Sequence, residues 1–450
     1  MTYSTTLNDA LQYSTSTDKC LDLFSKIGNM RWAGRNIILK EFEKAYKQNS
    51  KLATRVLFWA RAARIGAGER KTFHTILSEI GKTSPEFIVD NAKALSELGY
   101  WKDLIPYLYL DGVVSVFAQA IKDGDRLACK WAPRKCPLLK DKLGFTNKEY
   151  RKWLKKHSDT TEQQMTNQLW SDINYSSVPG AALRRYSSAF NKNDNQRYND
   201  WKSDKTKTAS VSATYPHEVM KCGDEILMDK LWNSLPDHIK PGERILPMID
   251  VSGSMMGIAL DVAISLGMYL AERNKSEFKD VFLTFSENPQ LVRLQGNTIA
   301  ERLRNIERAD WDMNTDFEKA YRHILNVAIK HNVNSNSMPT MLLVLSDMQF
   351  DRASRNKTHL DIIKSEYEQS GYEFPKLVFW NLDMHDGIPA QATSDDVALV
   401  SGFSPAIMKA ILNCEDFNPI NVMMEALELI KLDYTNLSTK LDIDYQSESF

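Results

Sequence analysis

The hydrophobic period changes once along the chain, just after Pro241, and that change limits the fold more than any other feature. From about residue 20 to 125, the segments CLDLFSKI, IILKEFEKAYKQN, KLATRVLFWARAAR, ERKTFHTILSEI, SPEFIVDNAKALSEL and KDLIPYLYL place apolar residues three or four apart, the spacing of amphipathic helices. The breaks between them are short and carry Gly28, Gly34, Gly66, Gly68 and Gly99. Short loops favour antiparallel neighbours, so this half reads as a stacked helical-repeat array. Beyond Pro241, ERILPMIDV, DVFLTFSE, MPTMLLVLSDM, KLVFWNL and DVALVSG read as buried strands, with helical stretches between them and after the last. That alternation predicts a doubly wound, mostly parallel sheet covered on both faces. The fold class is therefore α followed by α/β.

A chain of 450 residues exceeds what one hydrophobic core usually supports, which fits two units. We place an N-terminal segment at 1–19, the helical array at 20–240, the sheet domain at 241–435 and an acidic tail at 436–450. Residues 126–215 are either a long excursion from the array or the lining of its concave face. Five scattered cysteines argue against a disulfide framework and suit a reducing compartment. The first residues have neither a basic start nor an apolar run, and no later stretch is apolar for the roughly 18 residues a membrane span needs. The expectation is a cytoplasmic protein without membrane attachment. The net charge of -1 conceals an asymmetry of about +11 before residue 241 and about -12 after it. The halves either have different partners or meet each other.

Ligands of open parallel sheets bind beyond the carboxyl ends of the strands. There the chain places Asp250, Ser252 and Ser254 (D-V-S-G-S), Thr315 before a helix, and Asp347 after LVLS. Two carboxylates and three hydroxyls make an all-oxygen donor set suited to a hard divalent cation, Mg2+ first, with Mn2+ or Ca2+ as substitutes. Asp and Ser are also ordinary strand-end and cap residues, but the set occupies successive topological positions. Mg2+ seldom takes all six oxygens from protein, which leaves room for water or a partner's carboxylate.

These five residues resemble the metal-ion-dependent adhesion site of von Willebrand factor A domains, although Met313-Asn314 replace the usual glycine-rich lead-in to Thr315. A helical half followed by such a domain resembles the TROVE module of the Ro ribonucleoprotein autoantigen family, as a diverged branch. The stretches that carry this resemblance are IGAGERKTF (65–73), LGYWKDLI (98–105), KWAPR (130–134), SVPGAALRRY (177–186) and YPHEV (215–219). The resemblance implies a HEAT-like array closed into a ring by the A domain, and binding of small structured or misfolded RNA on basic surfaces.

Basic residues interleave with aromatics in RWAGR (31–35), RAARIGAGERK (61–71), KWAPRK (130–135), YRKWLKK (150–156), LRRY (183–186) and RYNDWKSDKTK (197–207). Lys and Arg suit phosphates, and aromatic faces suit unpaired bases. The candidate RNA contacts are Arg61, Arg64, Arg70, Lys130, Arg134, Arg184 and Arg185, against the alternative of solvated helix faces or pairing with the acidic half. Gly66-Ala67-Gly68 lacks the phosphate-loop pattern and reads as a turn between helices. The histidines lack zinc spacing, and Cys129 and Cys136 have no second pair. Nothing supplies a general base or a nucleotide-binding loop, so a metal-dependent hydrolase is the weakest reading. The expectation is a non-enzymatic protein that binds RNA through its helical half and an acidic or protein ligand through its metal site. The alternative is an assembly protein that uses the metal site without RNA.

Overall fold

The computed structural model describes residues 3–6, 11–285, 289–306, 317–349, 359–383 and 388–433. An N-terminal helical-repeat array precedes a six-stranded, mostly parallel sheet, as the change in period predicts.

The chain opens with a short antiparallel hairpin, β1 (Tyr3–Thr5) and β2 (Leu11–Tyr13). Tyr13 exchanges both backbone hydrogen bonds with Ile388, at 3.0 and 2.8 Å, and Ala392 N–H donates to the Ser16 carbonyl at 2.9 Å. The first residues are thereby tied to the sheet half, at residues 388–392. Helix Lys19–Ile27 then packs on Arg35–Gln48 and Ser50–Arg61. Aromatic side chains on the inward faces make the array's core, with Phe24 and Trp59 at 4.3 Å between ring centroids and Trp101 and Phe117 at 4.8 Å. Residues 126–215, ambiguous in sequence, continue as short helices. Helix Asn147–Ser158 packs on Arg126–Trp131, and the Trp153 indole N–H donates to the Ile121 carbonyl at 2.9 Å. Tyr175, Phe190, Tyr198 and Trp201 form a second aromatic cluster.

The sheet runs β5-β4-β3-β6-β7-β8, with β3 (Ile245–Asp250), β4 (Val281–Phe285), β5 (Leu291–Arg293), β6 (Met341–Ser346), β7 (Lys376–Asn381) and β8 (Val397–Ser401). Among these described strands, β5 alone is antiparallel to its neighbour. Every residue of β3 and β6 is buried, which explains their unbroken apolar runs. Pro247 lies within central strand β3 opposite Leu343, but β4 pairs with β3 only from Met248 onward. One side of Pro247 is therefore unpaired, where a residue without an N–H is tolerated.

The array meets the sheet half at both of its ends. At its start, Gly28 N–H donates to the Ser401 hydroxyl at 3.0 Å, and that hydroxyl donates to the Phe24 carbonyl at 2.9 Å. A Cβ on Gly28 would lie 2.5 Å from the Ser401 carbonyl oxygen, so only glycine permits this approach. At its end, helices Pro216–Met220 and Glu225–Asn233 pack on Ile258–Arg273 and Ile299–Ile306. Arg273 donates to the Trp232 carbonyl at 2.9 Å, and Ile299 N–H to Asp229 at 2.8 Å.

Candidate functional site

Parallel strands β3 and β6 are hydrogen-bonded neighbours with Ile249 opposite Leu345, so their carboxyl ends deliver Asp250 and Ser346 side by side, with Asp347 next in the chain. Asp250 is completely buried, as is Asp347. The Ser346 hydroxyl donates to Asp250 Oδ2 at 2.5 Å, and Ser252 N–H donates to Oδ1 at 2.9 Å. Beyond them the chain makes a 3-10 turn, Gly253–Met255, that sets the Ser252 and Ser254 hydroxyls 3.1 Å apart. Ser252 is buried and Ser254 exposed, so the oxygens run from a closed floor to an open mouth. On the β6 side, Asp347 Oδ1 accepts from Gln349 N–H at 3.0 Å, and Met348 holds φ +65°, a left-handed conformation uncommon for its residue type. Strain of that kind concentrates at functional loops.

Burial pushes the Asp250 carboxyl up to about 7, and the charge of Asp347 adds to the rise against the hydrogen bonds from Ser346 and Ser252. Two carboxylates facing each other without solvent are a costly arrangement that a bound cation would relieve. Asp250, Ser252, Ser254 and Asp347 thus make an oxygen-rich donor set of the kind a hard divalent cation takes. Thr315 lies outside the described residues. Among the described residues, no group of three or more His, Cys, Asp or Glu is placed to hold a metal, so this donor set depends on its hydroxyls. Ser346 was missed in the sequence, although a serine closing the apolar run LVLSD was its signal.

The seven basic candidates separate by burial. Arg61 is 2% exposed, and its Nε donates to Asp103 at 2.7 Å; Asp103 also meets His74 at 3.0 Å. Burial alone would raise the Asp103 carboxyl, but the His74 hydrogen bond and the Arg61 charge prevail and hold it below its ordinary value. Arg61 is thus an internal ion pair and is withdrawn from the RNA contacts. Lys130 is half-buried and paired with Glu162 at 3.5 Å, and Arg184 is half-buried against Glu218 at 3.6 Å. Arg64, Arg70, Arg134 and Arg185 are exposed.

Two of the stretches that carry the family resemblance, IGAGERKTF and YPHEV, meet at the junction of the two halves. In IGAGERK, Gly68 has φ +65° and a Cβ there would overlap the Tyr215 hydroxyl of YPHEV. Buried Glu69 accepts from the backbone of Lys71 and Thr72 and pairs with Arg31 at 2.6 Å. The Arg31 guanidinium sits 3.9 Å from the centroid of Phe403, whose ring also meets His217 edge-on at 5.5 Å. Burial pushes His217 down to about 3, helped by Lys221 and Arg31.

Reactive chemistry finds little support in the thiols. Burial raises Cys20 to about 12 and Cys129 to about 11, opposite to what a nucleophile needs. Among the described residues no helix is long and apolar enough to cross a membrane.

The fold is a helical-repeat array joined to a mostly parallel sheet, with buried Asp250 and Asp347 and the Ser252 and Ser254 hydroxyls at its strand ends. Two protein families cover the chain in series. Residues 6–123 and 134–233 match a domain of unknown function, DUF2828, and residues 245–437 match another, DUF7788. An uncharacterized protein of Acanthamoeba polyphaga mimivirus is 26% identical, covering 94% of this chain and 87% of its own. A crystal structure of the Deinococcus radiodurans RO (RSR) protein aligns over 91% of this chain and 93% of that one, with 14% identity and a TM-score of 0.35.

Proposed function

We propose that the protein binds RNA through its helical half and an acidic protein ligand through a Mg2+-dependent site on its sheet half, with functional units at 20–240 and 241–435. The observation that carries the RNA reading is which cations remain available. Ion pairs between the halves, Arg55–Glu428, Lys221–Asp261, Lys275–Asp237 and Arg304–Glu225, use none of the seven basic candidates. Among the described residues, the acidic half therefore takes up Arg55 and Lys221 but none of the seven candidates, which weakens the alternative of an assembly protein without RNA. Arg64, Arg70, Arg134 and Arg185 can each meet a phosphate without first giving up a carboxylate among the described residues.

At the sheet, Asp250, Ser252, Ser254 and Asp347 would hold the cation, with Thr315 as a further donor. The cation's chemistry here is attraction of an acidic group from a partner. Asp250 and Asp347 supply the charge, Ser346 fixes the Asp250 carboxylate, and Ser254 marks the side from which the ligand arrives.

The test is fluorescence anisotropy with a small structured RNA across 50–200 mM salt. Affinity should fall steeply with salt, and removing the charges of Arg64, Arg70 and Arg185 together should weaken binding and flatten the salt dependence by about 2 to 3 in slope. Binding that is unchanged in this triple variant refutes the assigned surface.

A further inference from the structure

A cleft of about 260 Å³ in the ambiguous central region is lined by Arg134, Arg151, Lys155, Gln163, Thr166 and Asn167. Arg151 and Lys155 lie four residues apart on helix Asn147–Ser158 and so project from one face, while Arg134 arrives from the loop after helix Arg126–Trp131. Helix Thr161–Thr166 and its cap, Asn167, supply the third wall. All three cations are exposed, and none has a carboxylate partner among the described residues. No acidic residue among those described lines the cleft. Glu162, beside it in sequence, is engaged by Lys130 at 3.5 Å.

Three positive charges at one small concavity repel each other unless an anion joins them. Lys155, near a helix C-terminus, also offsets the helix dipole, but that reason does not extend to Arg151 a turn earlier or to Arg134 on another element. The volume lies below the roughly 300 Å³ at which sites for drug-sized ligands begin, so the cleft suits a single small anionic group rather than a whole nucleotide. Guanidinium groups favour tetrahedral oxyanions by paired N–H donation, and the Asn167 amide adds a neutral donor.

We infer that this cleft is a single-phosphate site in which Arg134, Arg151 and Lys155 converge on one phosphate group, supplied by the backbone of a bound RNA strand. The source of the phosphate rests on the RNA reading above; the site itself does not. Convergence has a measurable signature. Three independent surface contacts would each neutralise a phosphate and together contribute about 2 to the salt slope for a single strand, whereas one shared phosphate contributes about 0.7. The three side chains should also be non-additive.

The experiment uses the full chain and R134Q, R151Q, K155Q and the triple variant, with an unchanged urea midpoint as the folding control. In one arm, inorganic phosphate is titrated and its 31P line width followed. Broadening by the wild type that is lost in the triple variant supports the site; equal broadening by both overturns it. In the other arm, RNA binding is measured against salt. Each single variant should weaken binding about tenfold, and the triple variant little more. Its slope should fall by about 0.7 whatever the RNA sequence. RNA binding that is intact in the triple variant overturns RNA as the source and leaves the RNA reading standing. A wild type that binds no RNA overturns that reading, and the phosphate arm then decides the site alone.

Discussion

The substitution Asp250→Asn should stabilise the metal-free protein at neutral and alkaline pH and abolish its response to Mg2+. The wild-type carboxyl is fully buried beside Asp347, which pushes it up to about 7. In the unfolded chain it titrates near 3.9. Between these values the folded state binds more protons than the unfolded state, so the Asp250 contribution to stability is greatest at low pH and is lost as pH rises from about 4 through about 7. The difference of roughly three pH units corresponds to about 4 kcal/mol by the end of that window. An amide in place of the carboxyl cannot ionise, so the wild-type minus variant difference in unfolding free energy isolates this titration from all other groups. Urea unfolding in EDTA from pH 4 to 8 provides the measurement, repeated in excess Mg2+. The cation reverses the sign for the wild type by favouring the ionised form, and leaves the variant unchanged. A wild-type minus variant difference that is flat from pH 4 to 8 in EDTA, or equal stabilisation of both proteins by Mg2+, would refute the electrostatic account of the site.

Three further perturbations test the scaffold. Arg61→Ala strands the buried Asp103 carboxylate and should cost about 3–5 kcal/mol in urea unfolding, whereas Arg64→Ala should stay within about 0.5 kcal/mol. Gly28→Ala pushes the first helix away from the Ser401 carbonyl and should expose the junction to limited proteolysis, with cleavage between the halves as the readout. His217 is held down to about 3, so its folded state binds fewer protons than the unfolded state below pH 6.5. Its contribution to stability is therefore lost as pH falls from about 6.5 toward 3, and His217→Gln should flatten that part of the profile.

Legibility in the sequence followed the range of the interaction. The strands β3 and β6 were plain because burial on both faces leaves an uninterrupted apolar run, and Asp250 and Asp347 followed because strand ends are where such sheets place their ligands. Ser346 was harder, since its role depends on the parallel register that brings it to Asp250. Arg61 was misread because its partner, Asp103, is 42 residues away and no local pattern announces a buried pair. The Arg151–Lys155 spacing was visible on one helix, but the arrival of Arg134 from another element was not. The stretches around Gly68–Glu69 and Tyr215 lie about 150 residues apart in the sequence, and tertiary packing joins them at the junction.

The central claim is that the helical half carries RNA. The most direct measurement is to isolate the full chain under mild salt and determine its nuclease-sensitive absorbance at 260 nm, with sequencing of what is released. The account predicts bound RNA that raised salt removes and that the charge-removed Arg64, Arg70 and Arg185 variant retains poorly. A nucleic-acid-free protein that forms defined oligomers would contradict it.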